Sequence, residues 1–201
     1  MKRREFLVLP FGGVLEYKVP LRFFTQGEAQ IVSAACERIF PTDENGPGAK
    51  EAGVAIYIDR QLAGPYGRDK YRYLKAPFFE SIPEHGYQGK ASPRDIYREG
   101  LGMLGQFTAL SVREQDERLR AIESSLFFQM LRLHTLEGMF CDPLHGGNSG
   151  LAGWRLIEFP GPRMTYEMEI DRHYGKAWRP EPASLQDVLK RPVHGWEDEK
   201  E

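Results

Sequence analysis

Apolar residues recur at intervals of three or four positions in several stretches after residue 25, and this spacing predicts α-helices. The first helix is predicted over 26–40, where Thr25 and Glu28 have the spacing of a capping box. The second is predicted over 49–63, because the dipeptide Gly64-Pro65 that follows it is a helix stop signal.

Three more helices are predicted in the middle of the chain. One covers 92–110 and starts at Ser92-Pro93, since Ser is a good cap and Pro suits the first helical position. A capping box at Ser111 begins the fourth helix, which extends through Ile122. The fifth, over 126–140, is apolar on much of its circumference, so we expect it to be buried.

The segments between and after these helices are rich in Gly, Pro and polar residues. Residues 65–91 show no clear period and predict a long, ordered loop held by the packing of its aromatic side chains. These side chains are Tyr66, Tyr71, Tyr73, Phe78 and Phe79. A short extended segment is predicted over 154–159. Residues 163–201 are polar and interrupted by proline, with only a helical turn or two at 184–189, and we expect them to be disordered or to lie along a partner.

Together the patterns predict a mainly α fold. Residues 21–162 form a compact helical domain of about five helices with long ordered loops, preceded by an N-terminal segment (1–20) and followed by an extended C-terminal arm (163–201). A length of 201 residues suits one domain with arms. Hydrophobic residues make up 41% of the chain and charged residues 28%, which makes a packed core feasible.

Charge and cysteine content argue against several classes of protein. The net charge is −2, from 27 Lys and Arg against 29 Asp and Glu, so the basic excess typical of nucleic-acid binding is missing. No apolar run approaches the roughly 20 residues needed to span a bilayer. Cys36 and Cys141 allow one disulfide at most; two separate buried thiols are the simpler expectation, and a disulfide stays open if the helices that carry them pack together.

The first residues have the form of an export signal. Arg3 and Arg4 followed by Phe6 and Leu7 are similar to the start of a twin-arginine leader, which a bacterial export receptor reads. An ordinary basic N-terminus is the alternative. The apolar stretch over 7–15 is short and no Ala-x-Ala cleavage site follows it, so we expect the segment to be retained rather than cleaved.

One glycine motif matches a dinucleotide fingerprint by its letters alone. Residues 100–105 read Gly-x-Gly-x-x-Gly, which in nucleotide-binding folds forms a turn between a strand and a helix. Here the motif lies inside the third predicted helix and no apolar strand precedes it. We therefore interpret these glycines as positions where another helix approaches closely.

The ionisable residues offer little catalytic chemistry. His134 and Glu137 are three residues apart on the fifth predicted helix, and with His145 they could be imagined as a metal site. A buried histidine bonded to a glutamate or a backbone carbonyl is the simpler interpretation. The chain has no recognisable triad, no Gly-x-Ser-x-Gly elbow and no P-loop, so the sequence makes no positive case for a self-contained enzyme.

The segment from Asp142 to Trp154 is the most unusual stretch of the chain. Its adjacent glycines and Asn148 suit backbone conformations at positive φ, and Pro160 with Gly161 makes a rigid exit. Trp154 offers a large apolar anchor of the kind that dominates interfaces. Two interpretations stay open: a shaped loop presented to another protein, or a loop folded onto its own helices.

Three segments of the chain together resemble one protein family. They are Arg38–Glu44 with its continuation to Arg60, then Asp142–Asn148 with Gly153-Trp154, and finally Ile157–Arg163. The chain is similar over roughly residues 1–166 to the gluconate 2-dehydrogenase subunit 3 family, the small subunits of sugar or sugar-acid dehydrogenases. The Arg-Arg-x-Phe-Leu start also resembles this family's export signal.

The resemblance implies a mainly helical, non-catalytic subunit of a bacterial periplasmic complex that is membrane-associated. In such complexes a large subunit of the glucose–methanol–choline type holds FAD and oxidises the substrate, and a multihaem cytochrome c subunit often takes the electrons onward. The small subunit supports maturation, and its signal carries the large subunit through the twin-arginine pathway. It holds no cofactor of its own.

We expect six residues to shape the surface that meets the large subunit. They are Gly146, Gly147, Asn148, Trp154, Pro160 and Gly161. Two rival hypotheses remain: a stand-alone metal-dependent enzyme that uses His134, Glu137 and His145, and a free export chaperone that releases its client.

Overall fold

A computed structural model of the chain describes residues 19–72, 75–79, 82–163 and 165–190. These residues form eight α-helices joined by loops and short 3₁₀ turns, which confirms the mainly α fold. The export-signal residues Arg3, Arg4, Phe6 and Leu7 lie outside the described residues, and so does Tyr73.

Hydroxyl caps start most of the long helices, as the sequence predicts. The long helices are α1 (Gln26–Ile39), α2 (Val54–Ala63), α3 (Pro93–Leu104), α4 (Val112–Ala121) and α5 (Leu126–Phe140). Thr25, Ser92 and Ser111 form complete capping boxes at α1, α3 and α4, and Ser125 caps α5 with its hydroxyl. Each such cap contributes about 1 kcal/mol to the stability of its helix.

The core lies around α5, which contacts α1, α2, α3 and α6 (Ala152–Leu156). Its buried side chains include Phe127, Leu131 and Met139, as expected for a helix with so much apolar surface. The buried residues of α5 lie on one face and Leu133 is exposed, so the predicted burial holds for that face and not for the whole circumference.

Two helix boundaries differ from the prediction, and glycines are the physical reason. The second helix begins at Val54 rather than at residue 49, because Gly53 before it has φ of 73° and the preceding residues form turns. The third helix ends at Leu104 rather than at residue 110. Gly105 has φ of 59° there, which side-chain-bearing residues rarely adopt.

The Gly-x-Gly-x-x-Gly segment is part of α3 and its end, as the helical interpretation predicts. A Cβ atom placed on Gly100 would lie 2.0 Å from the ring of Phe127, so the missing side chain allows α3 and α5 to approach closely. Gly102 faces open space and has no such role.

The loop over 65–91 is held partly as predicted: Tyr66 packs edge-on against His134, with ring centroids 5.4 Å apart. Tyr71 and Phe79 are 81% and 76% exposed, so aromatic packing does not order them. Arg72 instead bonds to the Asp69 carboxylate and to the carbonyl oxygens of Gly89 and Ala91, which joins the two ends of the loop.

The segment over 154–159 is not extended, and that prediction is wrong. Residues Ala152–Leu156 form α6 instead. This helical turn places the ring of Trp154 against the end of α5. The C-terminal arm contains α7 (Glu167–His173) and α8 (Leu185–Lys190), the second of which the predicted turn at 184–189 anticipates.

In the described part of the chain, no helix combines the length and the apolar character needed to cross a bilayer.

Candidate partner-binding surface

Two loops that carry the motif segments meet beside the start of α2. The first loop covers residues 41–53, and the second covers residues 142–161 and includes α6. The backbone N–H of Ser149 donates to the carbonyl oxygen of Ala52 at 2.9 Å. The Arg60 guanidinium on α2 donates to the carbonyl oxygen of Leu144 at 3.4 Å. The loops therefore form one continuous surface, which we call the two-loop surface.

Carboxylates shape the first loop by bonding to its backbone. The Glu37 carboxylate at the end of α1 accepts the N–H groups of Thr42 and Lys50, each at 2.9 Å. The Asp43 carboxylate accepts the N–H of Asn45 at 2.8 Å, and this bond holds the pKa of Asp43 below its usual value. The Glu37 and Asp43 carboxylates thus fix the backbone of a loop that is rich in glycine and proline.

Asn148 is the central residue of the second loop and is completely buried. Its Nδ2 donates to the carbonyl oxygen of Cys141 at 2.9 Å, and its Oδ1 accepts the N–H of Gly153 at 2.8 Å. Its own N–H donates to the carbonyl oxygen of Gly138 on α5 at 2.8 Å. A φ of 47° makes Asn one of the few side-chain-bearing residues suited to this position.

The glycines of the second loop allow its backbone to touch the helices. A Cβ atom on Gly147 would lie 2.1 Å from the carbonyl oxygen of Gly138, which is backbone and cannot move aside. Gly146 has φ of 103°, and a Cβ atom there would lie 2.7 Å from Nη1 of Arg60. Gly147 therefore depends on glycine for packing, whereas Gly146 depends on it mainly for its backbone conformation, because the Arg60 side chain can shift.

Trp154 anchors the second loop to α5. Its side chain is 4% exposed and packs edge-on against Phe159 at a ring-centroid distance of 5.0 Å. Its Nε1 donates to the carbonyl oxygen of Phe140 at 2.7 Å, one of the carbonyl groups that the end of a helix leaves without an intrahelical partner.

The C-terminal arm returns to the second loop and covers its exit. The N–H of Ala183 donates to the carbonyl oxygen of Pro160 at 3.2 Å, and the N–H of Leu185 donates to the Asp142 carboxylate at 2.7 Å. A Cβ atom on Gly161 would lie 2.0 Å from the carbonyl oxygen of Ala183. Residues 183–185 of the arm therefore lie along this chain's own loop.

A shallow concavity of about 330 Å³ lies between the two loops. Its lining mixes polar and apolar side chains with backbone: Asn45, Pro47, Ser149, Gly150, Ala152, Arg155 and Leu156. Arg155 at its edge pairs with Glu181 of the arm at 2.7 Å, and both side chains are largely exposed.

The six predicted interface residues all lie in the second loop or at its exit. Gly147, Asn148 and Trp154 bond or pack against α5, and Pro160 and Gly161 contact the arm, so these residues set the shape of the loop from within. The side chains that the loop turns outward are different ones: Leu144, His145, Ile157 and Phe159 are exposed.

The structure does not bring His134, Glu137 and His145 together as metal ligands. His134 is buried, and its Nε2 and Nδ1 atoms each lie 2.8 Å from a tyrosine hydroxyl, that of Tyr66 and that of Tyr97 respectively. Glu137 accepts the hydroxyl of Tyr57 at 2.9 Å, and His145 is exposed on the second loop. Among the described residues, no group of three or more potential ligands is placed to hold a metal ion.

Burial determines the ionisation of this histidine. The pKa of His134 falls to about 4 because the surrounding protein disfavours the charged imidazole. Its ring is therefore neutral at physiological pH, with one nitrogen donating and the other accepting a hydrogen bond.

The two cysteines are separate thiols. Cys36 is buried in α1, and Cys141 is partly buried at the end of α5. Burial raises the pKa of Cys36 to about 12 and that of Cys141 to about 11, so both stay protonated and unreactive at neutral pH.

Sequence reasoning missed two sets of polar side chains that the structure places in the core. Asp59 on α2 accepts three backbone N–H groups from residues 22–24, and the hydroxyls of Tyr66 and Tyr97 enclose His134. The segment Tyr57–Arg60 carried a partial signal, since an aspartate within an otherwise apolar helix turn needs buried partners.

A family model described as gluconate 2-dehydrogenase subunit 3 matches residues 26–161 of the chain. The matched range extends from the first residue of α1 through α6 and includes both loops of the two-loop surface. No curated protein and no solved structure matches the chain.

Proposed function

Because this chain belongs to the gluconate 2-dehydrogenase subunit 3 family, we propose that it is the small, non-catalytic subunit of a bacterial FAD-dependent dehydrogenase complex. The partner is a large subunit of the glucose–methanol–choline type, which oxidises a hydroxyl of a sugar, sugar acid or glycoside. The observation that carries the proposal is the family match over residues 26–161, since the family is named as one subunit of a dehydrogenase.

We assign FAD to the partner rather than to this chain. The one glycine motif of the dinucleotide type lies in α3, where Gly100 packs against Phe127 and leaves no turn to receive a pyrophosphate. The chain's own part in the reaction is to bind and stabilise the subunit that holds the flavin.

Exposed apolar side chains support assembly into a complex. Tyr71 and Phe79 project from the loop over 65–91, and Ile170, Tyr174 and Leu189 project from the C-terminal arm. Contact with a partner would remove these side chains from water.

We assign the two-loop surface to the contact with the large subunit. Leu144 and Ile157 are its exposed aliphatic side chains and are placed to contact the partner directly. Gly146, Gly147, Asn148 and Trp154 act indirectly, because they hold the second loop in the shape that presents those side chains. Pro160 and Gly161 seat the arm beside them.

The proposal extends to assembly and export. The N-terminal residues Arg3, Arg4, Phe6 and Leu7 act as the twin-arginine signal for both subunits, and the complex works in the periplasm. The twin-arginine pathway carries folded proteins, so the subunits assemble before export. A multihaem cytochrome c subunit is a further partner that would receive the electrons and associate the complex with the membrane.

Isolation of the tagged chain from its native host tests the proposal. Mass spectrometry and the absorption spectrum of the isolate are expected to show a large flavoprotein in equal amount. A colourless chain recovered alone would contradict the subunit proposal. A flavoprotein in far less than equal amount would favour the transient export chaperone instead.

A matched pair of variants tests the surface assignment separately. Ile157 and Val112 are 54% and 59% exposed, and Val112 belongs to α4 and to neither loop. Ile157→Asp is expected to reduce the recovered flavoprotein at least tenfold, since a charge would then be buried in the contact. Val112→Asp should leave recovery unchanged. Full recovery with Ile157→Asp would remove this surface from the interface without affecting the subunit proposal.

A further inference from the structure

The Asp59 carboxylate holds the backbone of the segment that precedes α1. Its Oδ2 accepts the N–H of Arg22 at 2.8 Å, and its Oδ1 accepts the N–H groups of Phe23 and Phe24 at 2.9 and 2.8 Å. Asp59 is 1% exposed, so the carboxylate is shielded from water and depends on these donors.

A second helix holds the same segment from another direction. Arg98 on α3 donates to the carbonyl oxygen of Phe23 at 3.1 Å, and its guanidinium lies 4.3 Å from the centroid of the Phe23 ring. Phe24 is buried, with its ring 6.0 Å from that of Tyr97. The backbone over 22–24 is therefore fixed between α2 and α3.

These contacts join positions that are distant in the chain. Asp59 is 35 to 37 residues from the backbone groups that it binds, and Arg98 is 75 residues from Phe23. The segment over 22–24 is consequently held only when α2 and α3 have packed into the domain. A chain in which these helices are not packed leaves the same peptide bonds open.

We infer that Asp59 is a latch that joins residues 22–24, the segment before α1, to the folded domain and protects their peptide bonds from proteolysis. Proteases bind an extended, accessible backbone, and chain ends are their usual targets unless something ties them down. Any protease that trims this chain from its N-terminal side after folding should therefore stop before the latch. The inference concerns the isolated chain and does not rest on the proposed complex.

Limited trypsin digestion tests the latch at one peptide bond. The side chain of Arg22 is exposed and would fit trypsin, so protection of the Arg22–Phe23 bond must come from its bound backbone. In the wild-type chain this bond should resist while the exposed Arg172 and Lys176 sites in the arm are cut. Asp59→Asn keeps the size but turns an amide group toward the N–H donors, and cleavage after Arg22 should be at least tenfold faster.

Asp116→Asn is the matched control. Asp116 pairs with Arg38 at 2.7 Å and also joins two helices, but it does not touch residues 22–24. The rate of cleavage after Arg22 in the Asp116→Asn variant should equal the rate in the wild type. An equal acceleration in both variants would mean that general destabilisation, and not the latch, governs the site.

Hydrogen exchange on the wild-type chain keeps the inference testable if Asp59→Asn fails to fold. The amide protons of Arg22, Phe23 and Phe24 should exchange as slowly as those of the core helices. Exchange at the rate of an exposed loop, or rapid trypsin cleavage after Arg22 in the wild type, would overturn the latch.

Discussion

Nδ1 of His134 lies 2.8 Å from the hydroxyl oxygen of Tyr97, and the two rings are stacked with their centroids 5.6 Å apart. Both side chains are fully buried, one on α5 and the other on α3. The pair ties the two helices together through a neutral imidazole, so protonation of this ring acts directly on the stability of the core.

We predict that this histidine makes the domain less stable in acid. Its pKa is about 4 in the folded chain and 6.5 in a free side chain, so the unfolded state binds more protons between these values. The free energy of unfolding should therefore fall as the pH is lowered from about 6.5 to about 4, by about 3 kcal/mol in total from this group. Urea unfolding at several pH values measures it.

His134→Gln is the comparison for that prediction, because Gln keeps a donor and an acceptor but does not titrate in this range. A variant that is less stable at every pH is still informative, since only the slope of stability against pH matters. A wild-type chain whose stability changes with pH as weakly as that of the variant would contradict the role of His134.

Trp154→Ala should destabilise the whole domain rather than remove only a contact with a partner. The buried ring leaves a cavity, and the carbonyl oxygen of Phe140 loses its donor. We expect a loss of about 3–5 kcal/mol in the free energy of unfolding. Trp154→Phe, which keeps a ring but loses the Nε1 donor, should cost about 1–3 kcal/mol.

Chemical unfolding of both Trp154 variants provides the measurement. An unchanged stability of Trp154→Ala would show that the side chain is free in solution and available to a partner. Trp154→Ala can test partner binding only after this measurement, because unfolding of the second loop would by itself reduce the amount of flavoprotein recovered.

Two glycines of α3 should respond in opposite directions to the same substitution. Gly102→Ala faces open space, so the higher helix propensity of Ala should stabilise the chain by about 0.5–1 kcal/mol. Gly100→Ala places a methyl group within the ring of Phe127 and should destabilise the chain by about 1–3 kcal/mol. Thermal unfolding of the pair measures this difference, and equal effects would contradict the close packing of α3 on α5.

Asn148→Asp should destabilise the second loop by about 2 kcal/mol or more. The substitution replaces the Nδ2 donor by a carboxylate oxygen that faces the carbonyl oxygen of Cys141, in a buried site. Asn45→Asp is the exposed control: it loses the Nδ2 bond to the Asp43 carboxylate at 3.1 Å and sets two carboxylates side by side, but water screens both, so it should cost under about 1 kcal/mol. Urea unfolding compares them, and equal stability of the two variants would exclude the buried role of Asn148.

Local sequence patterns specify where most of the long helices begin. Thr25, Ser92 and Ser111 cap helices through acidic residues three positions away, and such contacts depend only on neighbouring residues. The apolar spacing along α1 and α5 also follows from the chain alone, which is why the mainly α fold and the five long helices could be predicted. The motif segments likewise indicate the family by their residues alone, since a family resemblance depends on the order of residues and not on their packing.

Which residues those helices bury, and which groups they bond to, depends on packing between distant segments. Nothing near Asp59 in the chain shows that its partners are the N–H groups of residues 22–24, and nothing near Trp154 shows that its ring turns inward onto α5. The arm's return to Pro160 is of the same kind. These outcomes depend on packing between segments that are far apart in the chain, and local patterns carry no information about that packing.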